Sequence, residues 1–257
     1  GGGGGGEAEG PAGRRALLDS LLVRTSHTDL QVMQSYHAAL RHRNALIRER
    51  HASPAQFQAY ESQMAEYGTR LLLAREELAA ELAPIAQRQL HELAGGKDHF
   101  LLHHEHGLPQ SLQVGELLKE KNRGAIQERL LRCWEEKREN DCARGFTFHG
   151  PHRADIGLQL NNREARSYAS QGQARSIVLA LRLAEAELLE KRIGEPPVLL
   201  LDDVLGELDR QRTRHFVRLL SRDGLQSLIT ATDVKAIEED LPLGKEFNVE
   251  SGRIAGT

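Results

Sequence analysis

Four consecutive apolar residues, Val198-Leu-Leu-Leu201, run straight into Asp202 and Asp203. A strand this uniformly apolar is expected to be buried on both faces, which requires a parallel or mixed sheet covered by helices. Its two acids then stand at the C-terminal tip, the edge where open α/β sheets bind ligands. The surrounding texture agrees. Strand-like runs at 146–149, 156–160, 198–201, 227–230 and 247–249 alternate with helical patterns at 171–192, 209–221 and roughly 234–239. The second half of the chain is therefore expected to be α/β.

The first half reads differently. Six leading glycines and the stretch to Gly13 are expected to form a disordered leader. Over residues 28–50, Leu30, Met33, Leu40 and Ile47, with His37 and Asn44 between, step by threes and fours as on an amphipathic helix. Ser53-Pro-Ala-Gln56 supplies an N-cap, a first-turn proline and a capping-box glutamine for a second helix. Its stripe of Phe57, Tyr60, Met64, Tyr67, Leu71, Leu78 and Leu82 stops at Gly95-Gly96, with a kink or break expected at Pro84. If continuous it is about 60 Å long. Two such stripes joined by a short turn pack antiparallel, either as a projecting arm or as part of an ordinary helical domain. A strand or hairpin is expected at 99–106 and helices at 114–121 and 125–140.

Composition narrows the function classes. No apolar run reaches the roughly 20 residues needed to cross a bilayer, so a cytoplasmic protein is expected. Cys133 and Cys142 are the only cysteines, too few for a disulfide framework or a four-cysteine metal site. With a net charge of -3, any contact to nucleic acid must come from local patches. The aromatic content of 4% argues against a base-stacking platform.

Adjacent carboxylates at a strand tip repel unless a cation sits between them, so Asp202 and Asp203 suit a Mg²⁺-dependent phosphate site. The alternative is a strand whose acids merely begin a turn. Ser170-Gln-Gly-Gln173 precedes a long helical pattern. Ser170 is a natural N-cap, Gly172 permits close approach of backbone, and the helix start favours an anion. Taken alone, the tetrapeptide fits plain capping better, since S-x-G before a helix is common capping chemistry. A phosphate-cradling loop G-x-x-x-x-G-K-[ST] does not occur in the 257 residues: neither Gly96-Lys97 nor Gly244-Lys245 has a glycine five places earlier.

The order and spacing of these parts carry a resemblance. Ser170-Gln-Gly-Gln-Ala-Arg175 resembles an ABC signature, Leu199 to Asp203 a Walker B strand, and Gly206-Glu-Leu-Asp209 a D-loop in which glycine replaces the common serine. Gly150-Pro-His-Arg-Ala-Asp155, Arg14-Arg-Ala-Leu-Leu-Asp19, and Tyr36 to Arg43 followed by Asn44-Ala-Leu make the match narrower. From residue 14 to about 256 the chain resembles the RecF family of DNA replication and repair proteins, SMC-like ATPases with short arms.

That resemblance implies an α/β fold: a partial ABC/SMC-type ATPase head, with a mixed sheet and flanking helices, plus a helical arm lobe. The leader would occupy 1–13, the mainly helical region 14–145 and the ATPase lobe 146–257. It implies ATP and Mg²⁺ as cofactors, with Asp202 as the metal ligand and Asp203 beside the attacking water. Ser170, Gly172 and Gln173 would address the γ-phosphate held by the opposite protomer, and Thr230 or Thr232 would lie near it. Implied partners are DNA at junctions of single strand and duplex, a second copy bound through ATP, and recombination mediator proteins, in support of recombinase loading; no membrane partner is implied. Family members carry about a hundred residues ahead of Arg14-Arg15, including the phosphate-binding lysine. This chain alone is therefore expected to bind ATP weakly or not at all, and to leave a sheet edge and part of a core uncovered. A non-catalytic DNA- or protein-binding module is the alternative. Other SMC-like heads have longer arms than residues 28–94 provide.

Two further clusters stand out. Arg41, Arg43, Arg48 and Arg50, with His42 and His51, form a basic segment suited either to DNA phosphates or to a solvated helix face. His99, His103, His104 and His106 invite a metal reading, but a strand alternates faces, so all four cannot converge, and no cysteine or regularly spaced His-Glu pair completes a site. Metal is not expected there.

Overall fold

The computed structural model describes residues 11–49, 52–96, 98–202, 210–220, 224–230, 245, 247–250 and 253–256. They fall into two compact units: one from the described residues up to Gln87 together with His99–Ala169, the other from Arg88–Asp98 together with the described residues from Ser170 onward. Residues 146–169 thus pack with the helical half.

In the first unit, α1 (Pro11–Thr25) begins with a proline whose missing N–H costs nothing in a first turn. Helix therefore covers residues 11–13, which the sequence reading assigned to the leader; residues 1–10 lie outside the described set. Ser26 caps α2 (His27–Arg48) by accepting the Asp29 N–H at 3.1 Å. The buried face of α2 is Val32, Tyr36, Ala39, Leu40, Arg43, Leu46 and Ile47. This is a rotated version of the expected stripe: Leu30 and Met33 are only half-buried, while Tyr36 and Arg43 go inside with polar partners of their own.

Helix α3 (Pro54–Leu93) opens with the expected capping box, in which the Ser53 N–H donates to Gln56 Oε1 at 2.7 Å and the Gln56 N–H to Ser53 Oγ at 3.4 Å. Its stripe of Phe57, Met64, Leu71, Leu78 and Leu82 is buried. No break occurs at Pro84. Buried Leu82, Ile85 and Ala86 flank it, and their packing outweighs the one backbone hydrogen bond a proline removes.

Strand β1 (Phe100–Glu105) follows, then α4 (Val114–Lys119) and α5 (Arg123–Arg144), which Asn122 caps and Gly145 ends at φ +81°. β1 pairs antiparallel with β2 (Asp155–Leu160), Phe100 opposite Leu160 and Glu105 opposite Asp155, and β2 pairs with the short β3 (Arg163–Glu164). Residues 146–149 do not form the expected strand. Their backbone donors are claimed by side chains: the Thr147 N–H by Asn44 Oδ1 at 2.8 Å and the Phe148 N–H by Asp141 Oδ1 at 3.0 Å. The one-turn helix α6 (Ala165–Tyr168) closes the unit.

The second unit is built on α7 (Gln171–Ile193), ended by Gly194 at φ +87°. Strand β4 (Leu199–Asp202) lies parallel to β5 (Ser227–Thr230), with α8 (Arg210–Leu220) between them in sequence. β6 (Phe247–Glu250) and β7 (Arg253–Gly256) form an antiparallel hairpin. The expected parallel pairing is present, but burial of β4 on both faces is not. Leu201 is buried, whereas Leu200 is 75% and its partner Leu228 55% exposed, because among the described residues nothing covers that face.

Candidate functional site

Parallel pairing sets Asp202 directly beside Thr230 at the C-terminal tips of β4 and β5. Both side chains are exposed, and the Thr230 hydroxyl donates to Asp202 Oδ1. A short apolar strand delivers the carboxylate and a second strand delivers the hydroxyl, so hard oxygen atoms face solvent at the edge where α/β sheets take ligands. Asp203 and Thr232 lie outside the described residues, as does the Gly206 to Asp209 turn.

The start of α7 is a complete capping box. Ser170 Oγ accepts the Gln173 N–H at 3.2 Å, and Gln173 Oε1 accepts the Ser170 N–H at 3.0 Å. Gln173 Nε2 donates to Asp98 at 3.3 and 3.4 Å. Both ends of the Gln173 side chain are thus engaged, and it holds the helix mouth rather than reaching outward. The cap takes up the N–H groups of residues 170 and 173 and leaves those of Gln171 and Gly172 at the exposed mouth, where the helix dipole favours an anion. A feature not singled out in the sequence stands beside them: a Cβ added at Gly172 would lie 3.2 Å from Arg212 Nη1 of α8. The signal for it was the Arg210-Gln-Arg212-Thr-Arg214 run. Gly172 therefore makes room for a guanidinium as well as for backbone approach.

The remaining segments behind the resemblance converge on one turn in the first unit. Arg43, expected at a DNA surface, is fully buried. It donates to Glu61 Oε1 at 3.0 Å, Asp141 Oδ2 at 2.8 Å, Thr147 Oγ1 at 2.7 Å and the Trp134 carbonyl at 3.2 Å. Two buried carboxylates need this cation, so it is withdrawn from any phosphate. Arg41 and Arg48 are exposed, Arg48 Nε donating to the Asn44 carbonyl at 3.1 Å; Arg50 lies outside the described residues.

From this knot the chain enters Gly150-Pro-His-Arg153. Trp134 Nε1 donates to the His149 carbonyl at 2.8 Å, and Arg75, bonded to Asp19, donates to the Pro151 carbonyl at 2.6 Å. His152 Nε2 donates to the Thr147 carbonyl at 3.0 Å, so Nδ1 is the acceptor for the Tyr36 hydroxyl at 2.8 Å. Burial pushes His152 down from 6.5 to about 4, against the opposing effect of its Thr147 bond and with help from nearby Arg153 and His37. Gly150, at φ +146°, admits no side chain: a Cβ would come within 2.9 Å of the Tyr36 hydroxyl and 3.0 Å of the His152 ring. The turn is therefore a packed joint. Its outer side carries Arg153 over the exposed rings of Phe146 and Phe148, 5.2 and 5.7 Å from their centroids.

The histidine cluster resolves by strand alternation. His103 points outward from β1, and His104 inward toward Glu76 of α3, with His104 Nδ1 at 3.2 Å and His106 Nε2 at 3.7 Å from Glu76 Oε2. Burial would raise the Glu76 carboxyl, but hydrogen bonds to His104 and His106 and their charge outweigh it and hold the group at about 2.

No family model matches the chain. The DNA replication and repair protein RecF of Symbiobacterium thermophilum is 40% identical over 228 residues, covering 88% of this chain and 58% of that protein. The protein of the same name from Microcystis aeruginosa is 36% identical over 256 residues, covering 95% and 66%. The chain thus spans between 58% and 66% of the length of these two relatives. Among solved structures, the recombination mediator protein RecF-ATPrS in the RecFOR pathway matches with a TM-score of 0.80 at 28% identity, over 97% of this chain and 65% of that one. RecF-ATP in the same pathway matches with a TM-score of 0.80 at 27% identity. The fold is accordingly part of an ABC/SMC-type ATPase head together with a helical lobe.

Proposed function

The chain belongs to the RecF family, and from that premise we propose that it is part of an ATP-dependent DNA-binding protein of recombinational repair and replication-fork maintenance, acting in the pathway for which its solved relatives are named. The observation that carries the reading is the exposed pair Asp202 and Thr230 at the tips of two parallel strands, in the same unit as an anion-favouring helix mouth. In this reading Asp202 holds Mg²⁺ through water and Asp203 orients the attacking water, with Thr230 or Thr232 beside the terminal phosphate. Exposed carboxylate and hydroxyl oxygens fit a hard dication, and the Gln171 and Gly172 N–H groups with Arg212 fit an anion.

The helix mouth of one protomer would close on the nucleotide of another, Ser170 and Gln173 fixing its shape while the backbone of residue 172 approaches the γ-phosphate. ATP then becomes the glue of a homodimer. Junctions of single-stranded and duplex DNA, recombination mediator proteins and a role in recombinase loading complete the proposal, with a cytoplasmic location; no described helix is long and apolar enough to cross a membrane. Arg41 and Arg48 remain the phosphate-contacting candidates on α2. The 257 residues lack a phosphate-cradling loop, so this chain alone is expected to bind ATP weakly or not at all.

The test uses the protein extended to the length of its family. With ATP it dimerises in sedimentation, Ser170→Arg abolishes dimers, and Asp203→Asn keeps them while stopping hydrolysis. ATP-dependent dimers that survive Ser170→Arg would remove the helix mouth from the interface, and unaltered turnover in Asp203→Asn would remove that acid from the chemistry.

A further inference from the structure

We propose that Glu76, His104 and His106 form a binding site for a divalent transition metal of the zinc class. β1 buries alternate residues, Phe100, Leu102 and His104. His106 follows two positions later, just past the strand end, and period-two alternation returns it to the same side. α3 runs against that side and contributes Glu76, 28 positions away in sequence. This is the third ligand that residue spacing around the histidines could not supply.

The geometry is convergent rather than a pair of separate ion pairs. Both imidazoles approach the same carboxylate oxygen, Oε2, at 3.2 and 3.7 Å, and the rings stand edge to face, 5.2 Å apart at 89°. One ligand atom from each residue lies within 4.8 Å of the others. For metal–ligand bonds near 2.1 Å, the edge of a coordination tetrahedron is about 3.4 Å. Two of the three edges are already within a few tenths of an ångström of that value, and the third closes by a turn of the half-buried His106 ring. Gly115 of α4 accommodates that ring: a Cβ there would lie 3.1 Å from His106 Cε1.

Donor chemistry selects the ion. Two imidazoles and one carboxylate suit zinc and its neighbours, whereas magnesium and calcium prefer oxygen alone. His104 is buried, but Glu76 and His106 keep about a quarter of their side-chain surface exposed, so water can complete a fourth position. His104 Nε2 has no partner among the described residues, and ligation through Nδ1 moves the ring proton onto it from the Glu76 hydrogen bond, a cost the metal bonds must exceed. The bound ion would tie the end of β1 to the middle of α3.

The test is a titration of the chelator-stripped 257-residue chain with Zn²⁺ in a calorimeter and with Co²⁺ in an absorption spectrometer. One equivalent of Zn²⁺ is expected, with cobalt d–d bands of tetrahedral intensity. Glu76→Gln and His106→Ala each weaken binding about tenfold or more, while His103→Ala, on the outward face, leaves it unchanged. Because His106 is half-buried, its variant is checked for native circular dichroism first, and Glu76→Gln provides an independent reading. Absence of stoichiometric Zn²⁺ binding to the parent overturns the proposal. Undiminished binding in the Glu76→Gln/His106→Ala double variant overturns it as well, since the ion would then sit on other histidines.

Discussion

Replacing Arg43 by methionine separates a structural arginine from a DNA-binding one. Methionine keeps the apolar stem of the side chain but removes the guanidinium end, with its four donated hydrogen bonds and the cation paired with two buried carboxylates. Glu61 retains Arg138, whose Nη2 donates to its Oε2 at 2.7 Å. Asp141, 1% exposed, keeps only the Phe148 N–H among these contacts and becomes an uncompensated buried charge. Breaking a buried pair from one side costs about 3–5 kcal/mol, and the surviving Arg138 contact places this case near the middle, about 4 kcal/mol. Urea unfolding monitored at Trp134, which is itself bonded into the knot, measures the loss. A second variant sharpens the reasoning. In Arg43→Met/Asp141→Asn the amide oxygen still accepts the Phe148 N–H but no charge is stranded, so roughly 1–3 kcal/mol should return as coupling. Arg41→Gln and Arg48→Gln should leave stability within about 0.5 kcal/mol while each lowering the salt slope of DNA binding by about 1. A loss under about 1 kcal/mol for Arg43→Met, with a reduced salt slope, would refute the assignment of Arg43 to the core.

Acid should weaken the first unit through His152. Its unfolded ring protonates near 6.5 and its buried ring near 4, so between those values only the unfolded chain gains the proton. Stability from this source is full above pH 6.5 and falls by about 3 kcal/mol as pH drops to 4, a slope that His152→Gln should lack in urea titrations at stepped pH. Gly150→Ala forces a side chain into φ +146° and against Tyr36 and His152, at an expected cost of about 1–3 kcal/mol in thermal or urea unfolding; an unchanged midpoint would contradict the packed-joint reading. The uncovered face of β4 and β5, with Leu200 75% and Leu228 55% exposed, should make this chain self-associate, and Leu200→Lys/Leu228→Lys should return it to a concentration-independent sedimentation profile.

What could be read along the chain was whatever depends on near neighbours in sequence. The capping box at Ser53, the N-cap at Ser170, the stripe of α3 and the Val198 to Asp202 strand followed from spacing alone, and each formed within a residue or two of its expected bounds. The failures share the opposite property. Pro84 remains in helix because packing decides against local propensity, and 146–149 loses its strand because Asn44 and Asp141, on two other helices, take its donors. Arg43 looked like its neighbours in a basic run until Glu61 and Asp141, 18 and 98 positions away, arrived on its two sides.

The same distinction explains what joins the non-nucleotide segments of the resemblance in this fold. Asp19 acts through Arg75 on the Pro151 carbonyl, Tyr36 donates to His152 Nδ1, and Arg43 and Asn44 hold Thr147 immediately before the turn. None of these pairs is local, yet all end on residues 147–152. A substitution in any one strands a polar or charged group in a buried joint, and no single second change restores all of its partners. Motifs scattered over more than a hundred positions are then one packing unit, gathered around the turn at Gly150.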